Sequence, residues 1–285
     1  MALRRLGVLG WPVDHSRSPA MQNAALAATG LDGEYAYELV PVTPEAFAET
    51  VGGLATAGFA GVNVTIPHKE AALAIATEAS GDARAIGAAN TLTFGDDGAI
   101  RADNTDAPGT LDALGEPLPH SALVLGAGGS ARAVVHALSG AGADVAVWNR
   151  SPERARLLAA DLGVRAVDAP EPAEVLVNCT SVGLHDPSAT FKDLPVSTDD
   201  LGTYACVVDL VYREGGTGLL LEAERRGCRV VDGLEILVRQ GARSFQIWTR
   251  RSAPLDVMRR AARGVDPLPE LPSSPTGRRG GRGGP

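Results

Sequence analysis

A glycine-rich loop between an apolar strand and a helix constrains this chain of 285 residues more than any other feature. Residues 121–126 are predicted to form a buried strand and residues 130–140 a helix. The loop between them is Gly126-Ala127-Gly128-Gly129-Ser130-Ala131. Glycines here let the backbone approach a pyrophosphate, whose charge then lies at the positive end of the helix. A tight turn without a ligand would also explain them, but the flanking strand and helix favour a dinucleotide site.

The end of the next predicted strand, residues 144–148, indicates which dinucleotide binds. It is followed by Asn149-Arg150-Ser151, with Arg154 about one helical turn beyond Arg150. Sites for NAD usually place an acidic residue here, which hydrogen-bonds the ribose hydroxyls. Arginines and a hydroxyl would bind a 2′-phosphate instead, so the sequence favours NADP. A solvated start of a helix remains the alternative explanation for the arginines.

Strand and helix patterns alternate along the rest of the chain, which is typical of an α/β protein with largely parallel sheets. In the front half, Ser18 is predicted to cap a helix that starts at Pro19. A further helix is predicted over residues 68–79, and a hairpin turn at Asp96-Asp97-Gly98. Two long helices are predicted near the C-terminus, over residues 234–250 and 255–263.

These patterns predict two domains with a cleft between them. An N-terminal α/β domain with a mainly parallel sheet covers residues 1–105 and is completed by the C-terminal helices, about residues 234–265. A Rossmann-like NADP-binding domain covers residues 106–233. Residues 266–285 are rich in proline and glycine and nearly devoid of apolar residues, so we expect a disordered tail. Its two short Arg-Gly-Gly repeats resemble an RNA-binding segment, but two copies are few, so a solvated tail is favoured.

Charge and cysteine content exclude several classes of function. The net charge of −8 argues against a nucleic-acid or membrane partner. Arg4-Arg5 and the apolar residues after them imitate a signal peptide, but no small-residue cleavage site follows, so we expect a cytoplasmic protein. Cys179, Cys206 and Cys228 lack metal-ligand spacing, and we expect reduced thiols and no metal site.

The basic residues are unusual in kind, because only Lys69 and Lys192 are lysines and the other 24 are arginines. A guanidinium stays protonated at ordinary pH, so only the lysines could exchange a proton. Lys192 lies in a predicted loop and is expected to be surface charge. Lys69 lies in the first turn of a predicted helix, where the helix dipole disfavours a cation. A functional lysine and an exposed one both remain open on these grounds.

Other polar segments of the front half could surround a small ligand. Ser16 and Ser18 present two hydroxyls at the start of a helix, which suits a carboxylate, although simple capping would explain Ser18. Asn90-Thr91 begin a predicted strand, and Asn104-Thr105-Asp106 follow the next one. Asp106 could equally be the N-cap of the next helix. His15 and His68 are expected to be exposed or supporting residues.

Taken together, these segments resemble the shikimate dehydrogenase family over residues 1 to about 263. Eight motifs match in order, which makes the resemblance highly specific. The substrate-side motifs are Gly10-x-Pro12-x-x-His15-Ser16-Arg17-Ser18-Pro19, Asn63-Val64-Thr65-Ile66-Pro67-His68-Lys69, Gly87-Ala88-Ala89-Asn90-Thr91 and Asn104-Thr105-Asp106. The others are the glycine loop, Asn149-Arg150-Ser151, Asn178-x-Thr180-x-x-Gly183 and Gln240-Gly241-Ala242-x-x-Phe245.

The resemblance implies an enzyme that reduces 3-dehydroshikimate to shikimate with NADPH, a step towards aromatic amino acids, in a cleft between two domains. It implies Lys69 and Asp106 as the catalytic pair. The substrate would contact Ser16, Ser18, Thr65, Asn90, Asp106, Tyr212 and Gln240. The cofactor would contact Gly126, Ala127, Gly128, Gly129, Ser130, Asn149, Arg150, Ser151, Arg154, Leu210 and Gly233. We expect a monomer or homodimer.

Two alternative functions remain. One is an NAD-dependent quinate/shikimate dehydrogenase, which the missing acidic residue after Trp148 disfavours. The other is a non-catalytic ligand-sensing homologue, which would be expected to lose the lysine–aspartate pair. The sequence also departs from the family pattern at Gln22 (usually histidine), Ile236 (usually methionine) and Ser151 (often threonine). Residues 213–216 intervene where a proline usually follows the tyrosine.

Overall fold

The computed structural model describes residues 3–184, 186 and 190–265 of the chain, so the predicted tail over 266–285 lies outside the described residues. Within them the strands form two six-stranded sheets. The strands are β1 (Arg4–Gly10), β2 (Tyr35–Pro41), β3 (Phe59–Val64), β4 (Glu78–Ala79), β5 (Thr91–Phe94), β6 (Ile100–Asp103), β7 (Ser121–Leu125), β8 (Asp144–Trp148), β9 (Arg165–Ala166), β10 (Val175–Asn178), β11 (Cys206–Asp209) and β12 (Arg229–Val231). The helices are α1 (Ser18–Ala28), α2 (Phe47–Leu54), α3 (Lys69–Ile75), α4 (Gly81–Ile86), α5 (Asp106–Leu114), α6 (Gly129–Gly140), α7 (Pro152–Leu162), α8 (Thr190–Asp193), α9 (Gly218–Arg225), α10 (Gly233–Thr249) and α11 (Leu255–Ala262).

The first sheet has the strand order β2-β1-β3-β5-β6-β4. Strand β1 pairs in parallel with β2 and β3, and β4 pairs in parallel with β6. Strands β5 and β6 form the predicted hairpin, in which Gly98 adopts a positive φ of 79°. All six residues of β3 are buried, as expected for a central strand covered on both faces. The prediction of a mainly parallel N-terminal sheet is confirmed.

The second sheet is parallel throughout and has the order β12-β11-β10-β7-β8-β9. The chain runs outwards from β7 to β9, then returns to β10 on the other side of β7. This is the doubly wound order of dinucleotide-binding folds, whose ligand crevice lies where the direction reverses. The predicted Rossmann-like fold is confirmed.

The two C-terminal helices return to the first sheet. Phe245 and Trp248 of α10 and Met258 of α11 share one buried cluster with Leu6 of β1 and Met21 of α1. A Cβ built at Gly61 of β3 would collide with the Trp248 indole. The indole donates a hydrogen bond of 3.1 Å to the backbone oxygen of Leu92. Residues far apart in sequence therefore complete one core.

Two local predictions are wrong. The helix predicted over 68–79 ends at Ile75, because Ala76 becomes extended and Thr77 N pairs with Ile100 O; β4 and α4 follow. The signal for α4 was Ser80, whose hydroxyl accepts from Ala83 N. Ser18 is not an N-cap, because α1 begins at Ser18 itself.

Within residues 3–184, 186 and 190–265, no helix has the length and apolar character needed to cross a membrane.

Candidate active site

The carboxyl ends of strands from both sheets open onto one cavity of about 360 Å³. Many of the residues that line the cavity lie at or just after the carboxyl ends of β1 and β3 in the first sheet and of β10 and β11 in the second. Strand β1 lies between β2 and β3, and β7 between β8 and β10, so the strand order changes direction in each sheet at this edge. Open α/β sheets bind ligands at such points. Two crevices therefore meet in one cavity.

Lys69 and Asp106 form an ion pair in this cavity. Lys69 Nζ lies 2.7 Å from Asp106 Oδ2 and donates to Ser130 Oγ at 2.8 Å. The two charged side chains are only 11% and 12% exposed. The suggested N-cap role of Asp106 is wrong: Thr105 is the cap residue, and Asn104 Oδ1 accepts from Asp106 N and Ala107 N. The Asp106 carboxylate is thereby left to face the lysine.

The side-chain amide of Asn90 orients this carboxylate and is itself held by Gln240. Asn90 Nδ2 donates to Asp106 Oδ1 at 2.8 Å and to Gln240 Oε1 at 3.1 Å. Gln240 comes from α10, which packs directly against α5. The close approach depends on Gly109, where a Cβ would lie 2.8 Å from Gln240 N. The C-terminal part of the chain thus contributes to the immediate surroundings of the ion pair.

A buried polar network supports these groups from behind. Tyr37 donates to Asn63 Oδ1 at 2.8 Å, and Asn63 Nδ2 donates to Ser244 Oγ at 2.9 Å. Burial raises the pKa of Tyr37 well above its usual value, so its phenol remains neutral and can donate. Ser244 was missed by sequence reasoning. Its signal is its position one helical turn after Gln240 on the otherwise apolar face of α10.

All seven predicted substrate-contacting residues line the cavity, namely Ser16, Ser18, Thr65, Asn90, Asp106, Tyr212 and Gln240. The Tyr212 hydroxyl accepts a hydrogen bond of 3.5 Å from Arg17 N. This bond joins the loop after β11 to the start of α1. Ser16 Oγ accepts from Ser18 N at 3.3 Å. Burial raises the pKa of Tyr212, so its hydroxyl keeps its proton.

The glycine loop connects β7 to α6 as predicted. Gly126 has a φ of 114°, and a Cβ there would lie 3.2 Å from the carbonyl group of Cys179, so both the backbone and the space require glycine. Gly128 is the N-cap of α6 and provides no capping side chain, which leaves N–H groups of the first turn for an anion. The loop fits a pyrophosphate.

Only three of the predicted cofactor residues line the cavity, namely Ser130, Leu210 and Gly233. The other eight lie outside this lining, in the loops after β7 and β8 and the first turns of α6 and α7; they are Gly126, Ala127, Gly128, Gly129, Asn149, Arg150, Ser151 and Arg154. A dinucleotide would extend from the cavity across β7 to β8. The two sets of residues therefore fit the nicotinamide and adenosine ends of one cofactor.

Arg150 and Arg154 are exposed and, among the described residues, have no carboxylate within ion-pair distance. Arg156, which follows on the same helix, is engaged by Asp168 at 3.2 Å. Asn149 Nδ2 donates to Ser151 O at 3.0 Å and shapes the turn between β8 and α7. Two free guanidinium groups beyond β8 suit a 2′-phosphate.

Comparison with known proteins shows which family the chain is similar to. Three family models match the chain: the shikimate dehydrogenase substrate binding domain over residues 8–92, shikimate/quinate 5-dehydrogenase over 114–181 and the shikimate 5′-dehydrogenase C-terminal domain over 233–263. The shikimate dehydrogenase (NADP(+)) of one Thermus thermophilus strain is 47% identical over 264 residues, covering 91% of this chain and 97% of the relative. The enzyme of the same name from Methanothermobacter thermautotrophicus is 44% identical over 276 residues, covering 91% and 95%.

The chain belongs to the shikimate dehydrogenase family. A crystal structure of the shikimate 5-dehydrogenase from a second Thermus thermophilus strain, in complex with NADP(H) and shikimate, superposes with a TM-score of 0.82 at 44% identity. The match covers 92% of this chain and 99% of that one.

Two departures from the usual shikimate dehydrogenase pattern, Gln22 and the segment over 213–216, have local structural explanations. Gln22 is fully buried and donates to Gly241 O at 3.0 Å, while its Oε1 has no partner among the described residues. In the segment over 213–216, Gly215 and Gly216 both adopt positive φ, so two glycines make the turn where proline is usual. Ile236 is buried and lines the cavity.

Sequence reasoning also missed apolar residues at the cavity of this shikimate dehydrogenase relative. Trp11 and Ile66 are about half exposed and lie one and two residues after the ends of β1 and β3. Cys179 lines the cavity as a free thiol, and burial raises its pKa above the usual value, so it remains protonated. His68 is structural: its ring stacks on Phe47 and its Nε2 hydrogen-bonds Val42 O at 2.7 Å.

Proposed function

We propose that this chain catalyses the reversible NADPH-dependent reduction of 3-dehydroshikimate to shikimate, a step of aromatic amino-acid biosynthesis. The observation that carries the proposal is the Lys69–Asp106 ion pair in a cavity shared by the substrate-side strands and the glycine loop. Membership of the family supports it. We further propose that the enzyme is cytoplasmic and acts as a monomer or homodimer.

Lys69 supplies the proton of the reaction in this proposal. Bound NADPH provides the hydride, and the oxygen of the reduced ketone gains negative charge as the hydride arrives. A proton donor at that oxygen lowers the barrier. Lys69 Nζ donates the proton there, and in the reverse direction the neutral amine accepts it. Asp106 holds the ammonium in place at 2.7 Å and hydrogen-bonds the substrate.

The remaining cavity residues bind and orient the substrate. We assign the carboxylate to the hydroxyls of Ser16 and Ser18, and the ring hydroxyls to Thr65, Asn90, Tyr212 and Gln240. Residues 1–105 with helices α10 and α11 would form the substrate side of the cleft. Residues 106–233 would form the cofactor side, with the pyrophosphate at the glycine loop.

Selectivity for NADP is assigned to the turn after β8. Arg150 and Arg154 provide positive charge, no acidic residue directly follows β8, and Asn149 and Ser151 provide polar groups beside the arginines. Leu210 and Gly233 would contact the nicotinamide end, because both line the cavity near Lys69. This arrangement disfavours the alternative of an NAD-dependent quinate/shikimate dehydrogenase.

A spectrophotometric assay at 340 nm, the absorbance of reduced nicotinamide, tests the proposal. Shikimate and quinate are each combined with NADP and with NAD. We expect rapid reduction of NADP with shikimate and much lower rates in the other three mixtures. Equal rates with both cofactors would overturn the NADP assignment. Tight binding of shikimate without turnover in any mixture would instead identify a ligand-sensing homologue.

A further inference from the structure

Ser130 joins the cofactor loop to the lysine of the ion pair. Its Oγ lies 2.8 Å from Lys69 Nζ, a distance comparable with the 2.7 Å contact of Lys69 to Asp106. Lys69 begins α3, beside the first sheet, whereas Ser130 lies in the first turn of α6, beside the second. A direct hydrogen bond therefore runs between the two sides of the cleft at the reacting group.

Gly129, the residue before Ser130, lies in close contact with the side chain of the same lysine. A Cβ built at Gly129 would lie 2.8 Å from Lys69 Cβ and 3.3 Å from its Cδ. Gly129 is helical, so its backbone conformation would accept alanine, in contrast to Gly126 with its φ of 114°. The missing side chain therefore makes room for the stem of Lys69, and the pyrophosphate alone does not explain this glycine.

The contacts of the Lys69 ammonium show what Ser130 adds. An ammonium has three hydrogens, and here one faces Asp106 Oδ2 and one faces Ser130 Oγ. Within the described part of the chain, the third has no acceptor at hydrogen-bond distance. All three residues line the cavity. Two fixed hydrogens determine the direction of the third, because the stem of a lysine is otherwise free to rotate.

We infer that Gly129 and Ser130 position Lys69 for proton transfer, a role beyond the contact with the cofactor proposed above. Gly129 gives the lysine stem its path, and Ser130 accepts one ammonium hydrogen so that another points to the substrate oxygen. The inference rests on the proposed function, in which Lys69 is the proton donor. Ser130 is then a positioning residue that acts through Lys69.

A double-mutant cycle on the full-length protein tests this role. Ser130→Ala is expected to lower kcat about tenfold, while KM for shikimate and Kd for NADP stay within about twofold. Ser130→Thr keeps the hydroxyl and should recover most of kcat. In a Lys69→Ala background, Ser130→Ala should have no further effect, because the group it positions is gone. Ser139→Ala makes the same change at the far end of α6 and should leave kcat unchanged.

The outcomes separate this inference from the proposed function. A raised Kd for NADP with unchanged kcat in Ser130→Ala would limit Ser130 to the cofactor and overturn the inference. Additive effects in the cycle, or a higher kcat in Ser130→Ala, would overturn it too. Near-normal turnover in Lys69→Ala would instead refute Lys69 as the proton donor of the proposed reaction, and absence of shikimate turnover in the unaltered protein would refute the proposed function itself. Gly129→Ala provides a second variant, expected to lower kcat with NADP still bound.

Discussion

At the scale of the residue, the rarity of lysine in this chain points to the side chain proposed to transfer the proton. Lysine occurs twice in the chain, and the structure separates the two. Lys192 is exposed on the short helix α8, whereas Lys69 is nearly enclosed and held by Asp106 and Ser130. Placing an ammonium close to helix N-termini is unfavourable, and the carboxylate compensates for it. Such a costly arrangement is expected where a proton must be transferred.

Lys69→Ala should lower kcat by two or more orders of magnitude, because removal of a general acid typically costs a factor of about 10² to 10⁴. Shikimate should still bind, since Ser16, Thr65 and Gln240 remain. Turnover is measured at 340 nm and binding by calorimetry. Lys192→Ala is the matched control and should behave as the unaltered protein. Loss of shikimate binding in Lys69→Ala would contradict a role confined to proton transfer.

Arg150→Ala should reduce the preference for NADPH over NADH by about tenfold or more, because it removes a charged hydrogen-bond donor from the 2′-phosphate. The change should appear in kcat/KM for NADPH and leave that for NADH nearly unaltered. Arg156→Ala is the control, since Arg156 is already paired with Asp168. An unchanged preference in Arg150→Ala would place the phosphate elsewhere.

At the scale of the element, the loop from β11 to α9 depends on one buried carboxyl group. Asp209 accepts from Asn178 Nδ2 at 2.9 Å, Val211 N at 3.0 Å and Thr217 Oγ1 at 2.7 Å. These bonds hold in place the loop that carries Leu210 and Tyr212 to the cavity. Burial raises the pKa of Asp209 to about 6, and the three donors offset part of that effect.

The raised pKa of Asp209 makes stability depend on pH. Between pH 5 and pH 7 the unfolded chain has already lost this proton and the folded protein loses it, so the free energy of unfolding falls as pH rises. The contribution of Asp209 amounts to about 1 kcal/mol over this interval. Urea unfolding at both pH values should show this decrease in the unaltered protein and in the control Asp168→Asn. In Asp209→Asn it should be smaller by about 1 kcal/mol; an identical decrease there would contradict the assignment.

The elements were largely predictable where periodicity and capping residues agreed. The strands β7, β8, β10 and β11 follow from short apolar runs, helix α10 from a long periodic pattern, and the glycine loop from its glycines between a strand and a helix. The two-residue strands β4 and β9 were missed because pairing with neighbouring strands defines them. The same reason limits the site: Lys69 and Asp106 carried sequence signals, whereas the supporting bonds of Ser244 and the contact between Gly129 and Lys69 arise only from packing.

At the scale of the whole molecule, one aromatic side chain joins the C-terminal helices to the first sheet. Phe245 is fully buried in the cluster that contains Leu6, Met21 and Met258. The helix that carries it also carries Gln240 to Asn90. Stability and the substrate side of the cavity therefore depend on the same packing.

Phe245→Ala should lower the free energy of unfolding by about 3 to 5 kcal/mol, the usual cost of truncating a buried aromatic residue. Activity of the folded fraction should also fall, because truncation of Phe245 loosens the packing of α10, the helix that carries Gln240 to Asn90. Denaturant unfolding and the 340 nm assay measure the two effects. Leu157→Ala, at a position that is 67% exposed on α7, should change neither by much.

The return of α10 and α11 to the first sheet has a consequence for synthesis. A ribosome releases residues 4–103 first, yet one of the two core clusters of their sheet lacks Phe245, Trp248 and Met258 until residue 258 has emerged. The second sheet, formed by residues 121–231, contains all its strands earlier. Domains of nascent chains usually fold in the order of synthesis. In this protein one face of the first sheet can pack early, with residues 9–102, whereas the face that takes Phe245, Trp248 and Met258 stays uncovered until α10 and α11 have been synthesised.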